Sequence, residues 1–283
     1  MTIIERALKK HRPTAEAAAL AVSKRPRLQP SVIDPEVRLP RTPAVLDTKV
    51  CRDRRVLLAT ESDDDKAYGA AYRMLRTRLL QRARIGNWST IAVTSAGPND
   101  GKTLTIINLA LSLAREKTRE IVLLDMDMRN PSVCRVLGIR PPRQLHEHLE
   151  HGSDFQGLFS SVGSDNLLVA GNVTPSEHAS ELLLSPKFDD LIEAIKRGTV
   201  DPIILLDLPP VLVTDDALVV APKIDAILVV AAESVTDRTE FSQALNILSE
   251  FPLAGVVLNR AAETLPDYNY AYEGELSSEA GNK

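Results

Sequence analysis

Residues 94–103 read Thr-Ser-Ala-Gly-Pro-Asn-Asp-Gly-Lys-Thr, small and turn-forming residues that lead into a lysine and a hydroxyl. Such a run wraps backbone N–H groups around phosphate oxygens, with the lysine reaching the β and γ oxygens and the hydroxyl available to Mg²⁺. Lys102 and Thr103 take those two places, and Gly97, Asn99, Asp100 and Gly101 form the turn that holds the phosphates. In strict register the usual first glycine is Ala96, with Gly97 one place late. Asn99 stands where positive φ is needed, a region asparagine enters more readily than other non-glycine residues. Further on, residues 123–129 read Leu-Leu-Asp-Met-Asp-Met-Arg. Asp125 and Asp127 alternate along an extended exit, so they point in related directions, where one can assist the metal and the other act as base. Arg129 offers charge for a developing phosphate anion. A third carboxylate, Asp207, follows Leu205 and Leu206 and precedes Pro209 and Pro210, the place for a group that holds a water of the cation. The catalytic set is thus Lys102, Asp125, Asp127, Arg129 and Asp207, and the metal set Thr103, Asp125 and Asp207.

Each of these motifs follows a short run of unbroken apolar residues. The runs at 91–93, 121–124, 167–169, 203–206, 226–230 and 256–258 have strand length and no alternation, the pattern of strands buried on both faces. Between them lie helical spacings, as at Ile107, Ala110, Leu111 and Ala114, or at Phe188, Leu191, Ile192 and Ile195 after a Ser185-Pro186 start signal. Alternating buried strands and amphipathic helices specify an α/β fold, a largely parallel sheet with helices on both faces, whose ligands gather at the carboxyl ends of the strands.

Apolar residues make up 44% of the 283 and charged residues 25%, which excludes disorder throughout and fibrous composition. Two cysteines, Cys51 and Cys134, are too few for a disulfide framework, so a reducing cytosol is expected. No apolar run reaches the roughly 18 residues that a spanning helix needs. Charge is unevenly spread: residues 1–55 carry 13 Lys and Arg against 6 Asp and Glu, leaving 21 against 32 in the remainder. An acidic body argues against nucleic acid as partner, while a basic arm suits peripheral association with the inner face of the cell membrane. Residues 3–10 have a short amphipathic pattern, and the prolines at 13, 26, 30, 35, 40 and 43 read as an extended linker up to about residue 50. The expected organisation is therefore an arm and Pro-rich linker over 1–55, a nucleotide-binding domain over 56–265, and a flexible tail over 266–283.

The three motifs, in this order, resemble the bacterial tyrosine kinases of polysaccharide assembly, the P-loop kinases with Walker A, A′ and B motifs. The resemblance runs from about residue 55 to 260 and includes Gly171 to Leu183, Pro209 to Ala217 and Gly255 to Arg260. It implies a P-loop NTPase fold, ATP and Mg²⁺ as cofactors, and Asn259 and Arg260 near the adenine. By the same resemblance the chain is a protein-tyrosine autokinase that controls polysaccharide polymerisation or export, with a membrane co-polymerase or chain-length regulator as partner and a homo-oligomeric state. The opening at residues 3–8 is similar to the exosortase-associated subgroup, in which the kinase is a separate soluble chain. Two rivals stand beside this reading: a partition-type switch ATPase, and a non-catalytic nucleotide-binding regulator of a membrane polysaccharide machine. Gly97 occupies the position where the partition branch carries a signature lysine, which disfavours the first. Retention of Lys102, Thr103, Asp125, Asp127 and Asp207 disfavours the second.

Three of the five tyrosines, Tyr268, Tyr270 and Tyr272, lie in the polar end of the chain. The family carries a phosphorylated C-terminal tyrosine cluster, so these are the expected phospho-acceptors. The family also places Glu-x-x-Arg-x-x-Arg on the helix before the P-loop strand as a subunit contact; Arg73 and Arg76 match, but the Glu position is Ala70. His146, His148 and His151 do not form HExxH, and His148 with His151, three residues apart, make at most a two-ligand pair; a solvated helical face is the preferred reading over a metal site.

Overall fold

The computed structural model describes residues 38–57, 63–152 and 154–261. Eight strands form one sheet in the order β1-β4-β5-β3-β6-β2-β7-β8. They are β1 (Arg41–Ala44), β2 (Thr90–Ser95), β3 (Ile121–Asp125), β4 (Phe159–Val162), β5 (Leu167–Ala170), β6 (Ile203–Asp207), β7 (Ala226–Ala232) and β8 (Leu253–Asn259). All neighbours are parallel except β4 and β5.

The unbroken apolar runs occupy the centre of this sheet for a physical reason. Every residue of β2, β3, β6 and β7 is buried, because helices cover both faces. The pleat divides each strand between two cores: Val122 and Leu124 enter one, Ile121 and Leu123 the other. On the first face pack α5 (Leu145–His151), α6 (Ala179–Leu184), α7 (Pro186–Gly198), α8 (Asp216–Val220) and α9 (Arg238–Ile247). On the second pack α1 (Thr48–Asp53), α2 (Asp63–Gly86), α3 (Lys102–Leu113) and α4 (Val133–Leu137). In α7 the predicted stripe Phe188, Leu191, Ile192 and Ile195 is the buried one, each side chain contributing about 2 kcal/mol of apolar burial.

Residues 38–57 depart from the expected extended linker. Arg41–Ala44 form β1, paired in parallel with β4, and Leu39 is buried in the core. Thr48–Asp53 form α1, whose first amides at Lys49 and Val50 donate to the Asp47 side chain, and Cys51 is fully buried. Prolines misled the sequence reading here. Pro43 lies in an edge strand, where a missing N–H costs no ladder bond on the open side. The folded unit therefore begins well before residue 55. The rest of the arm, residues 1–37, and the tail with Tyr268, Tyr270 and Tyr272 lie outside the described residues. Among the described residues no helix is long and apolar enough to cross a membrane.

Candidate active site

Strand order alone brings the three motifs together. β6 lies between β3 and β2, and its last residue, Asp207, is in register with Asp125 on one side and Val93 on the other. The loop after β2 leads directly into α3, so Lys102 and Thr103 begin that helix beside both carboxylates. The side chains interlock. Lys102 Nζ donates to Asp127 Oδ2 at 2.7 Å and lies 3.7 Å from Asp207 Oδ1, while Thr103 Oγ1 donates to Asp207 Oδ2 at 2.6 Å. Asp125 Oδ2 accepts from the amides of Ser132 and Val133, each at 3.0 Å, and so caps α4.

Burial sets the electrostatics. Asp125 and Asp207 are fully buried. Loss of solvent, and then the Asp207 carboxylate, pushes Asp125 well above the usual carboxylate range; the Val133 amide opposes this only in part. Burial also raises Asp207, against the pull of Lys102 and Thr103. Burial disfavours charge on Lys102, but the attraction of Asp207 and Asp127 outweighs it and holds the ammonium above its ordinary value. Cys134 is no nucleophile here: burial, then Asp125, pushes its thiol up to about 12.

The loop is braced from outside. Asn99 and Gly101 have φ of 66° and 86°, so the positive φ expected at Asn99 is observed. Gly101 is required twice over, since a Cβ there would lie 2.1 Å from Asn259 Nδ2. Asn259 Nδ2 donates to Asp100 O at 2.9 Å and Arg260 Nη2 donates to Asn99 O at 3.0 Å, so both residues hold the loop backbone. The Asp100 carboxylate, buried, accepts from Thr236 Oγ1 at 2.6 Å and from the Gly97 amide at 3.3 Å. It is a strut of the loop, and Thr236 is a residue that sequence reading missed.

Arg129 is the one catalytic candidate turned away from Lys102. Its Nη2 donates to Ser180 Oγ at 3.0 Å, and its Nε lies 3.5 Å from Oδ2 of the buried Asp216. Ser180 in turn donates to Asp216 Oδ1 at 2.6 Å. Asn172 and Ser132 were likewise not legible. Asn172 Nδ2 donates to Asp125 O at 3.1 Å, and its Oδ1 lies 2.9 Å from the His146 amide and 3.0 Å from His146 Nδ1. The histidine segment is therefore no solvated face: His146 and His148 are buried, His148 against Phe155 with ring centroids 5.0 Å apart, and only His151 is exposed. Burial lowers the His148 pKa. The helix packs inward because Leu145 and Leu149 share its face with these two rings. Among the described residues no group of three or more His, Cys, Asp or Glu side chains is placed to hold a metal ion.

The residues at the strand ends suit a triphosphate with a divalent cation. Asp125 Oδ1 and Asp207 Oδ1 are buried without a hydrogen-bond partner, beside a threonine hydroxyl and an ammonium at the start of a helix. Buried oxygens of this kind are costly unless a cation or its waters satisfy them.

Comparison with known proteins agrees with this geometry. The family model ParA, described as NUBPL iron-transfer P-loop NTPase, matches residues 88–273. The tyrosine-protein kinase CpsD of Streptococcus pneumoniae serotype 4 is 32% identical over 176 residues, covering 60% of this chain and 75% of CpsD. The tyrosine-protein kinase wzc of Salmonella typhimurium is 30% identical over 231 residues, 79% of this chain but only 31% of wzc. The kinase domain of Escherichia coli tyrosine kinase ETK shares the fold, with a TM-score of 0.65 at 22% identity over 81% of this chain and 93% of that domain. Register-paired aspartates at the mouth of a phosphate loop, in a sequence that spans three quarters of CpsD, mean that this chain belongs to the bacterial tyrosine-protein kinases, within the ParA-type P-loop NTPases.

Proposed function

We propose that this chain is an ATP-dependent protein-tyrosine autokinase that regulates polymerisation and export of an exopolysaccharide or capsule, together with a membrane co-polymerase or chain-length regulator. The observation that carries the reading is the convergence of Lys102, Thr103, Asp125, Asp127 and Asp207 at adjoining strand ends. Kinship with CpsD supplies the reaction class.

In this mechanism Lys102 exchanges its Asp127 partner for the β and γ oxygens of ATP. That exchange frees the Asp127 carboxylate beside the γ-phosphate. A free phenol has a pKa of about 10, so it needs such a base. Its oxygen bonds to the γ-phosphorus while the bond from that phosphorus to the bridging oxygen breaks, ADP leaves, and the phenolic proton passes to Asp127. Thr103, Asp125 and Asp207 would hold Mg²⁺, which when bound supplies positive charge to the phosphate oxygens. Arg129 waits on Ser180 and Asp216 and turns toward the phosphoryl group. Asn259 and Arg260 brace the loop from the adenine side.

The acceptors are Tyr268, Tyr270 and Tyr272, delivered by the tail of a neighbouring subunit in a homo-oligomer. Arg76, one of the two arginines matching the family's subunit contact, donates to Ser112 O at 3.0 Å and lies 3.5 Å from Glu116 within the same chain. With Ala70 in the glutamate position, that helix makes a different contact from the family's usual one. The basic arm places the kinase at the inner face of the cell membrane. Incubation of the purified full chain with Mg²⁺-ATP and mapping of phosphosites tests the proposal. Phosphotyrosine in residues 268–272 is the expected result, and ATP hydrolysis without any labelled tyrosine would turn the reading to a switch ATPase.

A further inference from the structure

Ser132 precedes α4 at the position where serine ordinarily turns its hydroxyl back onto the first amides of the helix. It does not do so here. Asp125 accepts from the Ser132 and Val133 amides at the start of the helix, and the Ser132 side chain makes no capping bond. Its hydroxyl instead crosses to the phosphate loop, with Oγ 3.0 Å from Thr103 Oγ1. Thr103 has one proton, and it is committed to the Asp207 carboxylate at 2.6 Å. The chain therefore runs in one direction: Ser132 Oγ donates to Thr103 Oγ1, and Thr103 Oγ1 donates to Asp207 Oδ2.

This arrangement leaves the Thr103 oxygen with its remaining lone pair directed away from both partners, and it links that oxygen to the turn that holds Asp125. Ser132 is itself buried, so bulk water does not compete for its proton. One small side chain thus ties together all three groups of the metal set. We infer that Ser132 is a positioning residue that sets how tightly the nucleotide complex takes up its divalent cation, an assignment that rests on the kinase reading above. Partners that orient a ligating group are commonly worth a tenfold or greater change in metal affinity.

The test is cation dependence of nucleotide binding by the full chain, followed with a fluorescent ATP analogue in EDTA and across titrations of Mg²⁺ and Mn²⁺. For Ser132→Ala the half-saturating Mg²⁺ concentration should rise about tenfold, while Ser132→Thr, which keeps the hydroxyl, should stay within about twofold of wild type. Affinity for the analogue in EDTA and the melting temperature should not change. Ser132→Cys, near in size but a weak donor, should shift in the same direction as alanine and serves if the alanine variant does not fold. Unaltered Mg²⁺ dependence in Ser132→Ala, an equal loss with and without cation, or no recovery in Ser132→Thr would overturn the assignment. A wild-type chain without cation-promoted nucleotide binding would instead remove the kinase reading on which it stands.

Discussion

Replacing Lys102 by Met removes the ammonium that sits 2.7 Å from Asp127 and 3.7 Å from Asp207. Contact with phosphate alone would make this a change in activity without a change in stability. The geometry dictates otherwise, because Asp127 and Asp207 are buried and Asp125 lies beside them. Breaking a buried pair by removing one partner costs about 3 kcal/mol at the lower end of such measurements. For a domain of this size that corresponds to a fall in Tm of roughly 6 to 12 °C near neutral pH. The pH dependence follows from the sign of the shifts. Asp125 and Asp207 are already raised by burial, and Lys102 is among the groups that pull each of them down. Without it both rise further. A carboxylate with a raised folded pKa keeps its stabilising contribution below the unfolded value, about 3.9, and loses it as pH rises through the folded one. The gap in Tm between wild type and Lys102→Met should therefore be smallest in acid, toward the unfolded carboxylate value, and widen as the pH rises toward and beyond neutrality. Thermal melts by circular dichroism across that range, with tyrosine labelling from γ-labelled ATP, read both effects. A gap that does not vary with pH, or labelling at the wild-type level, would refute the reasoning.

Asp127→Asn should lower tyrosine labelling on the order of 100-fold, the scale of general-base catalysis, because an amide cannot accept the phenolic proton; equal rates would exclude Asp127 as base. Changing Tyr268, Tyr270 and Tyr272 together to Phe should abolish most labelling and leave ATP affinity intact, and phosphotyrosine at unchanged stoichiometry would place the acceptors elsewhere. Gly101→Ala should weaken nucleotide binding about 30-fold, from a cost of about 2 kcal/mol for a Cβ at positive φ plus disruption of the Asn259 bond to Asp100; binding by calorimetry at wild-type strength would contradict the bracing role. A chain starting at residue 38 should leave the membrane fraction yet melt like the full chain, whereas one starting at residue 56 should melt lower because β1, Leu39 and Cys51 are lost. Equal melting of the two truncations would show that the first strand contributes nothing.

Central strands and the phosphate loop were legible in the sequence because their signals are local. A run such as Ile203 to Leu206 has no polar alternation only if both faces are covered, and a lysine and a threonine after a turn-rich segment carry their chemistry in their spacing. Positive φ at Asn99 belongs to the same class, since it depends on one residue's sterics. Other features required the assembled sheet. Arg41–Ala44 become a strand only because β4 offers a partner, and local propensity, with prolines at 40 and 43, pointed the other way. His146 and His148 are buried because α5 packs inward; the spacing of histidines does not reveal which side of a short helix faces the core. Arg129 stands next to its motif in the chain, yet its partners Ser180 and Asp216 come from elements 51 and 87 residues away. Ser132, Asn172 and Thr236 reach the site in the same manner, through hydrogen bonds whose donors and acceptors are distant in sequence and adjacent only after the strands have taken the order β5-β3-β6-β2-β7. Residue type and spacing determine which atoms are able to hold a phosphate. Which of them are paired, buried or turned aside is decided by tertiary contacts, because burial and partnership depend on neighbours that no short window of sequence contains.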